Sequence, residues 1–506
     1  MRQSTRSLAT RSGKTLVYIF TFALFMTGCT KESLIPKDNL DTKNLSAEIS
    51  SSSASPGVTD KFIIISKTES VSNSLKNYIL NNGGTINSVM SGLGVIVATS
   101  TTSSFITTIK SNNEVFDVVP DFQLNMLRQT VNPSMKKIKV TAATGLTGTN
   151  PISAIQWNLK AVDAYGAFAK GYKGNGAIVA VLDNGFYMNH PDIAPNVHSS
   201  VSFVPGETAQ FQNPNYFSHG THVAGIIAAA DNNVGTVGIA PKAKLMLVKV
   251  LSEDGYGEFG ALIQGMYYAA DNGANIINMS LGAMLARNGK FTDDNGTPDP
   301  SDDVVYHDAK ATQSLIIALN RAVAYGKRKG VLTIAAAGNS AAYITGQGQE
   351  SFYPADCTGV IGVSATGPLG WATNQSTSLI PPAFYTNYGS SLIDLAGPGG
   401  NLKFPFNTNV VNLYGIIAPA WVFDLVISDE AVDPVTGDAY YAFAAGTSMA
   451  SPAVAGVAAI IAGKYPGISV AQLQSKLIQS AVNIGGAGSN HYYGQGIVNA
   501  SQAADQ

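Results

Sequence analysis

Ser448 is the side chain of this sequence best placed to act as a nucleophile. It lies in GTSMASPAVAG (residues 446–456), where a loop leads into an apolar run typical of a buried helix. Pro452 falls in the first helical turn, which tolerates proline because its missing N–H would have no partner there. A helix N-terminus carries partial positive charge and could stabilise an oxyanion. The alternative, a serine that only caps the helix, does not need this small-residue setting.

Three polar side chains upstream occupy comparable places. Asp183 ends the apolar strand pattern AIVAVLD, His219 begins the helix pattern SHGTHVAGIIAAA, and Asn339 ends VLTIAAAGN. In open parallel α/β sheets the ligand site lies beyond the carboxyl ends of the strands, beside helix N-termini. We therefore expect these three side chains and Ser448 to converge at one edge of a sheet.

Five motifs carry a family resemblance. VAVLDNG, HGTHVAG, INMSLG, AAAGN and GTSMASP occur in this order, and over about residues 156–504 the chain resembles the subtilisin family of serine proteases. The resemblance implies a doubly wound, mostly parallel α/β sheet. It implies a triad in the order Asp183, His219, Ser448, one of the three known orders. One position departs from the family pattern, because Asn184 stands where serine or threonine usually supports the aspartate.

The roles of these residues follow from the resemblance. His219 takes the proton from Ser448, and Asp183 fixes the tautomer of the imidazole. The Asn339 side chain and the Ser448 backbone N–H form the oxyanion hole. The predicted function is that of a secreted or surface-anchored serine endopeptidase that works through an acyl-enzyme. The alternative is a catalytically silent relative that binds peptides.

His222 offers a competing interpretation of the histidine motif. It lies three residues after His219, so the pair could also form a zinc site. No HExxH pattern accompanies the two histidines, and the glycine between them suits a helix start. We interpret His222 as a structural residue of the helix.

Substrate contacts are also implied by the resemblance. An extended peptide would pair its backbone with the segments 255–257 and 280–282, a form of strand addition. Two further side chains would line an apolar pocket remote from the cut, and one would line a nearer pocket. The alternative for the remote pair is ordinary helix core. The predicted substrate contacts are Gly255, Gly257, Ser280, Leu281 and Gly282, with Phe259 and Leu262 in the remote pocket and Leu251 in the nearer one.

A structural calcium site is implied at residues 230–236. In the family, backbone carbonyls and an asparagine of this loop wrap a Ca²⁺ ion together with a carboxylate. Oxygen ligands from a loop suit a hard cation. The alternative is a turn that holds no metal. The predicted ligands are Asp192, Ala230, Asn232, Val234 and Thr236.

The N-terminus reads as an export signal. A basic stretch precedes the apolar residues 16–26, which are too few to span a bilayer. The following MTGC resembles a bacterial lipobox, which implies cleavage before Cys29 and a lipid on its thiol; a plain secretory signal is the alternative. We predict a signal peptide at 1–28, a lipid-anchored polar tether at 29–60 and a location in the bacterial cell envelope or at the cell surface, with release after processing as the alternative to lasting attachment.

The sequence pattern of residues 61–127 indicates a separate small domain. Their pattern gives the order βαββαβ, a ferredoxin-like α+β fold that resembles the inhibitory propeptide of the same protease family. Residues 128–155 would be a linker that contains the autoprocessing site, and 156–506 the catalytic domain. The predicted partners are polypeptide substrates, this propeptide as an intramolecular inhibitor, and a membrane through the lipid on Cys29.

Composition agrees with a compact exported enzyme. Only 13% of the 506 residues are charged and 45% are hydrophobic, as expected for a large packed core. The net charge of −2 gives no reason to expect nucleic acid as a partner, and we expect a monomer. The chain has two cysteines, so a lipid on Cys29 would leave Cys357 unpaired.

Overall fold

The computed structural model describes residues 60–127, 138–139, 150–214, 216–293, 304–346, 348–402, 406–485 and 490–506. The predicted signal peptide, Cys29 and nearly all of the tether lie outside the described residues, as does most of the 128–155 linker. Among the helices that are described, none combines the length and apolar character needed to cross a membrane. Cys357 is a free, buried thiol, and burial raises its pKa to about 12.

Residues 61–120 form a small α+β module in the predicted order. Its sheet has the strand order β2-β3-β1-β4 with antiparallel neighbours, which is the ferredoxin-like arrangement. Its two helices begin at Asn73 and Phe105. The elements are β1 (Lys61–Ser66), α1 (Asn73–Asn81), β2 (Thr85–Met90), β3 (Val95–Thr99), α2 (Phe105–Lys110) and β4 (Val115–Pro120).

Strand β1 of this module is buried on both faces. Phe62 and Ile64 pack with the module's own helices, in a cluster that includes Phe105. Ile63 and Ile65 point to the other face and belong to a core cluster of the larger domain. Successive strand residues point to opposite faces, so the apolar run in β1 is explained by a sheet that is covered on both sides.

The remaining strands and helices build the larger domain and its connections. In chain order the strands are β5 (Gln123–Asn125), β6 (Ile138–Lys139), β7 (Ile178–Asp183), β8 (Val197–Ser202), β9 (Lys244–Lys249), β10 (Tyr256–Glu258), β11 (Ile276–Met279), β12 (Ala283–Ala286), β13 (Lys290–Asp293), β14 (Val304–His307), β15 (Leu332–Ala336), β16 (Glu350–Tyr353), β17 (Val360–Thr366), β18 (Leu395–Pro398), β19 (Val410–Leu413), β20 (Ile416–Pro419), β21 (Val426–Val432) and β22 (Ala439–Ala444). The helices are α3 (Trp157–Ala161), α4 (Ala164–Ala169), α5 (His219–Ala228), α6 (Phe259–Asp271), α7 (Ala309–Arg328), α8 (Thr447–Lys464), α9 (Val470–Gln479) and α10 (Ala500–Asp505).

A seven-stranded parallel sheet organises the larger domain, which confirms the predicted fold class. Its order is β18-β17-β15-β11-β7-β9-β8, and every pairing within it is parallel. In β7, Val179 and Val181 face the core that contains α5 and α8, whereas Ala180 and Leu182 face the core that contains α6 and α7. Helices therefore cover both faces, and all seven carboxyl ends lie at the same edge.

Smaller sheets lie outside this framework. β5 pairs with β10, β12 with β16, β13 with β14, and β19 with β20. β21, β22 and β6 form a three-stranded antiparallel sheet, in which residues 138–139 pair with Tyr440 and Tyr441. The strand pair β21–β22 packs on α5, the helix that begins with His219.

Replacement by alanine should have opposite effects at two helical glycines, Gly456 in α8 and Gly326 in α7. A Cβ at Gly456 would lie 2.8 Å from Cβ of Ile239, so Gly456→Ala should overpack the core and lower the free energy of unfolding by about 1–3 kcal/mol. At Gly326 in α7 the nearest atom would be 3.8 Å away, so Gly326→Ala should raise it by up to about 1 kcal/mol through helix propensity. Urea unfolding of the two variants beside the parent chain measures both values; equal shifts would contradict the packing argument.

Candidate active site

Asp183 and His219 meet at the carboxyl edge of the parallel sheet. Asp183 is the last residue of β7, and His219 is the first residue of α5. The Nδ1 atom of His219 lies 2.8 Å from Oδ1 and 3.0 Å from Oδ2 of Asp183, and both side chains are buried. Because a carboxylate only accepts, Nδ1 carries the proton in this pair and Nε2 is left as the basic nitrogen.

Ser448 lies at the second position of α8, where the sequence pattern places a helix start. Its backbone N–H is one of the first four of the helix, which have no partner within the helix itself. Its hydroxyl donates to the carbonyl of Ser280 at 3.0 Å. Nε2 of His219 is buried and makes no hydrogen bond with the residues that the structure describes. The structure therefore joins two of the three predicted side chains directly and holds the serine hydroxyl on a neighbouring backbone.

The amide of Asn339 is tied to the residue before Ser448. Its Oδ1 accepts from the backbone N–H of Thr447 at 2.8 Å and from the Thr447 hydroxyl at 2.9 Å. The same hydroxyl accepts from the N–H of Gly338 at 3.0 Å. Thr447 thus connects the end of β15 to the start of α8, a role that sequence reasoning did not assign although Thr447 lies within the GTSMASP motif.

Asn184 supports the aspartate through three chain segments. Its Oδ1 accepts from the N–H of Gly220 in α5 at 3.0 Å, and its Nδ2 donates to the carbonyl of Glu253 at 3.0 Å and that of Phe217 at 3.4 Å. Its own N–H donates to Oδ1 of Asp183 at 2.8 Å. The residue that departs from the family pattern therefore links the end of β7 to the helix that carries the histidine.

His222 has the environment of a structural histidine. Its Nε2 donates to the carbonyl of Ala442 in β22 at 3.0 Å, and the ring is fully buried. Burial lowers the pKa of His222 to about 3, so the ring is neutral near pH 7. These contacts are those of a helix residue that anchors a neighbouring strand.

The two predicted peptide-binding segments hold part of the chain itself. β5 runs antiparallel to β10, with Leu124 opposite Gly257 and Asn125 opposite Tyr256. Beyond β5, the N–H of Met126 donates to the carbonyl of Gly255 at 3.0 Å. On the other side, the N–H of Gly282 donates to the carbonyl of Met126 at 3.2 Å. Residues 123–127, the tail of the module, therefore lie extended between the two segments.

Apolar side chains of both domains meet beside this tail. A cavity of about 230 Å³ is lined by Leu124 and Val119 of the module and by Phe259 of α6, among others. Leu251, Leu262 and Leu281 are buried in the same core cluster as Met126. Phe259 and Leu262 therefore belong to the core of helix α6, which was one interpretation of the sequence. That core also borders the tail, which is compatible with the other interpretation, an apolar substrate pocket.

Oxygen atoms of the loop 230–236 converge on one point. Nδ2 of Asn150 lies 2.9 Å from the carbonyl of Ala230, 2.6 Å from that of Val234 and 3.4 Å from Oδ1 of Asn232, and it also contacts the carbonyl of Thr236. Sequence reasoning did not find Asn150, which lies 80 residues before the loop and belongs to no motif. Four loop oxygens around one small group form a donor set that could hold a cation.

Asp192 lies next to this loop within a buried acidic cluster. Its carboxylate accepts from Asn232 Nδ2 at 3.1 Å and from the N–H of Thr236 at 3.1 Å, and the Tyr441 hydroxyl donates to it at 2.9 Å. Burial raises the pKa of Asp192 to about 6, and burial together with Asp192 raises that of Asp429 in β21. The cost of burying these carboxylates as anions would be reduced by a nearby cation.

Comparisons of sequence place the chain among known proteases. Residues 174–496 match the model of the subtilase family. The chain is 34% identical to subtilisin BL of Lederbergia lenta over 352 residues, which cover 69% of this chain and 98% of that protein. It is 31% identical to an alkaline protease of Alkalihalobacillus alcalophilus over 424 residues, or 79% of this chain and 88% of that protein.

Solved structures share the fold. The epidermin leader peptide processing serine protease of Staphylococcus aureus matches with a TM-score of 0.65 at 19% identity, over 89% of this chain and 98% of that one. Fervidolysin of Fervidobacterium pennivorans matches with a TM-score of 0.61 at 20% identity, over 89% of this chain and 61% of that one. From the family match over most of its larger domain, the chain belongs to the subtilase family and is a serine endopeptidase.

Proposed function

We propose that Asp183, His219 and Ser448 are the catalytic triad of an endopeptidase that is made as an autoprocessed precursor. The observation that carries the proposal is the Asp183–His219 hydrogen bond of 2.8 Å beside a cleft that already holds an extended stretch of polypeptide. Without the carboxylate at Nδ1, the imidazole could present the wrong tautomer to the serine.

The reaction then follows from the positions of these groups. Ser448 Oγ attacks the carbonyl carbon of the peptide bond while Nε2 of His219 takes the hydroxyl proton. The oxyanion is stabilised by the Asn339 side chain and the Ser448 N–H at the start of α8. His219 gives its proton to the leaving amine, and water hydrolyses the resulting ester by the same route. Asp183 stabilises the imidazolium in both steps.

Residues 61–127, the module together with its tail, act in this proposal as an intramolecular inhibitor. Its tail lies between 255–257 and 280–282, where a substrate would pair. Further contacts fix the module on the helices beneath it. The Asp121 carboxylate accepts from the N–H of Gly260 at the start of α6 at 3.1 Å, and Arg321 of α7 donates to the carbonyls of Ser66 and Leu93. The alternative, a catalytically silent peptide-binding relative, would use the same cleft without cutting.

The position of the processing site can be narrowed from its two sides. The tail follows the cleft as far as Leu127. Residues 138–139 pair with β22 of the larger domain, which supports placing them in the mature enzyme. We propose that the cut lies between 127 and 138, at the beginning of the predicted linker.

Export and anchoring complete the proposal. The basic and apolar N-terminal pattern and the MTGC motif support a signal peptide at 1–28, a lipid on Cys29, a polar tether to residue 60 and a location in the cell envelope. A cut between 127 and 138 would separate Cys29 from the catalytic domain, so the mature enzyme would be released unless the cleaved parts stay together. Mass spectrometry of the N-terminal fragment from the native membrane would detect the lipid, and mass spectrometry of the mature enzyme would give the new N-terminus.

A structural Ca²⁺ ion is proposed for the loop 230–236. The convergence of four loop oxygens on the Asn150 amide fits a hard cation, because turning that amide would add a fifth oxygen. Asp192 lies beside them and supplies negative charge. The ion would stabilise the fold and takes no part in the chemistry.

Replacing the serine tests catalysis and self-cleavage together. Ser448→Ala should reduce casein hydrolysis by about 10³-fold or more, because the nucleophile is lost, and should leave the precursor uncut. Ser475→Ala, at an exposed position of α9, is the control and should process normally. Gel analysis and mass spectrometry of the purified chains give both readouts. Removal of the module from purified Ser448→Ala would rule out self-cleavage.

Asn184 should matter for rate because it positions other groups. Asn184→Ala removes the acceptor for Gly220 N–H and the link to Glu253, so we expect kcat/KM to fall by about 10- to 100-fold as His219 loses its fixed position. Asn272→Ala, which removes one exposed hydrogen bond at the end of α6, should leave the rate unchanged. Hydrolysis of a chromogenic peptide measures both; an unaltered rate in Asn184→Ala would contradict the role assigned here.

Calcium removal should destabilise the chain. With Ca²⁺ at about 100 times its Kd, binding stabilises the folded state by about 2.7 kcal/mol, so EDTA should lower the Tm of the Ser448→Ala protein. Asn150→Ala should abolish most of this difference. Val234→Ala should retain it, since Val234 offers only its backbone carbonyl and its side chain is exposed. Equal Tm values in EDTA and in Ca²⁺ for the Ser448→Ala protein without a further substitution would refute the site.

A further inference from the structure

The residue whose carbonyl is attacked must place its side chain between two strand extensions. β11 and β15 are neighbours in the parallel sheet, and each continues beyond its end, into 280–282 and 337–339. Ser280 contacts Ser448 through two hydrogen bonds, and Asn339 contacts Thr447. A carbonyl that reaches both Ser448 and Asn339 therefore has its Cα above the gap between these extensions, here called the slot.

The walls of the slot are glycines, and an aromatic ring lies between them. A Cβ built on Gly282 would be 2.5 Å from Cε1 of Phe352, and one built on Gly338 would be 2.8 Å from Cδ2 and Cε2 of the same ring. Opposite edges of the Phe352 ring thus face the two glycines. Neither wall could carry a side chain while the ring stays in place.

The ring is fixed by the strand that carries it. Phe352 lies in β16, opposite Met284 of β12, and only 6% of the residue is exposed. It belongs to the core cluster that also contains Leu281 and Ala337, the residues next to the two glycines. Because protein interiors are packed as densely as organic crystals, the volume that this ring fills is closed to a large substrate side chain.

We infer that Phe352 determines specificity by filling the slot, so that the enzyme cuts after residues with small side chains. The inference rests on the proposed function, since it assigns the slot to the residue acylated by Ser448. Ala, Gly and Ser fit above the ring, whereas Phe, Tyr and Trp would have to displace it.

The first test uses the mature wild-type enzyme. Peptides that differ only at the residue before the cut are hydrolysed, and mass spectrometry verifies the bond that is cleaved. We expect kcat/KM for Ala to exceed that for Phe by at least about 10-fold, the discrimination that a pocket achieves through steric fit. This comparison needs no variant.

The second test opens the slot. Phe352→Gly should raise kcat/KM for the Phe peptide by at least about 10-fold while that for the Ala peptide changes much less. Phe352→Leu should fall between the parent and Phe352→Gly, and it decides the matter if Phe352→Gly does not fold. Phe384→Gly, which removes a ring that is half exposed, is the matched control and should leave the preference unchanged.

The outcomes distinguish a failure of this inference from a failure of the proposed protease function. Equal rates on Phe and Ala peptides in wild type, or an unchanged preference in the folded Phe352 variants, would overturn the inference and leave the protease intact. Hydrolysis of no peptide and no casein by the mature wild type would overturn the proposed function, and with it the inference.

Discussion

The parallel direction of seven strands is the constraint on which the site depends. Because the carboxyl ends of parallel strands share one edge, Asp183 at the end of β7 must lie near Ser280, just beyond β11, and Asn339, just beyond β15. The helices that return from this edge start there, so α5 brings His219 and α8 brings Ser448 to the same place. Residues spread over 266 positions therefore meet without any loop having to carry them.

Hydrogen bonds of ordinary length fix the positions that the sheet sets only approximately. The Asn184 amide accepts from the N–H of Gly220 in α5, and the Thr447 hydroxyl at the start of α8 accepts from the N–H of Gly338 just beyond β15. Both are backbone-to-side-chain links between a strand end and a helix start, where backbone groups lack partners of their own. The site is consequently a set of adjacent junctions, each fixed by one buried polar side chain.

The sequence was most informative for polar residues that stand at the end of a predicted strand or at the start of a predicted helix. Asp183, His219, Asn339 and Ser448 each end or begin an apolar run, so a local pattern marks them. Asn150 has no such mark, because its partners lie 80 residues away and are mostly backbone carbonyls. Phe352 was also missed, since SFYP reads as an ordinary buried strand and only the folded chain sets its ring between Gly282 and Gly338. No sequence pattern marks a processing site within residues 128–155, and the narrower position proposed for it is supported by the pairings of β5 and β6.

The burial of strand β1 on both faces bears on the stability of the module once it is separated from the larger domain. The module's sheet face with Ile63, Ile65, Val95, Val97 and Val119 packs against the larger domain. After cleavage, a unit of about 60 residues would expose this apolar surface to water. It would keep only a small hydrophobic core of its own, too small to give much stability against unfolding. Under the proposed autoprocessing, the protease would degrade this marginally stable fragment, so removal of the module would be irreversible.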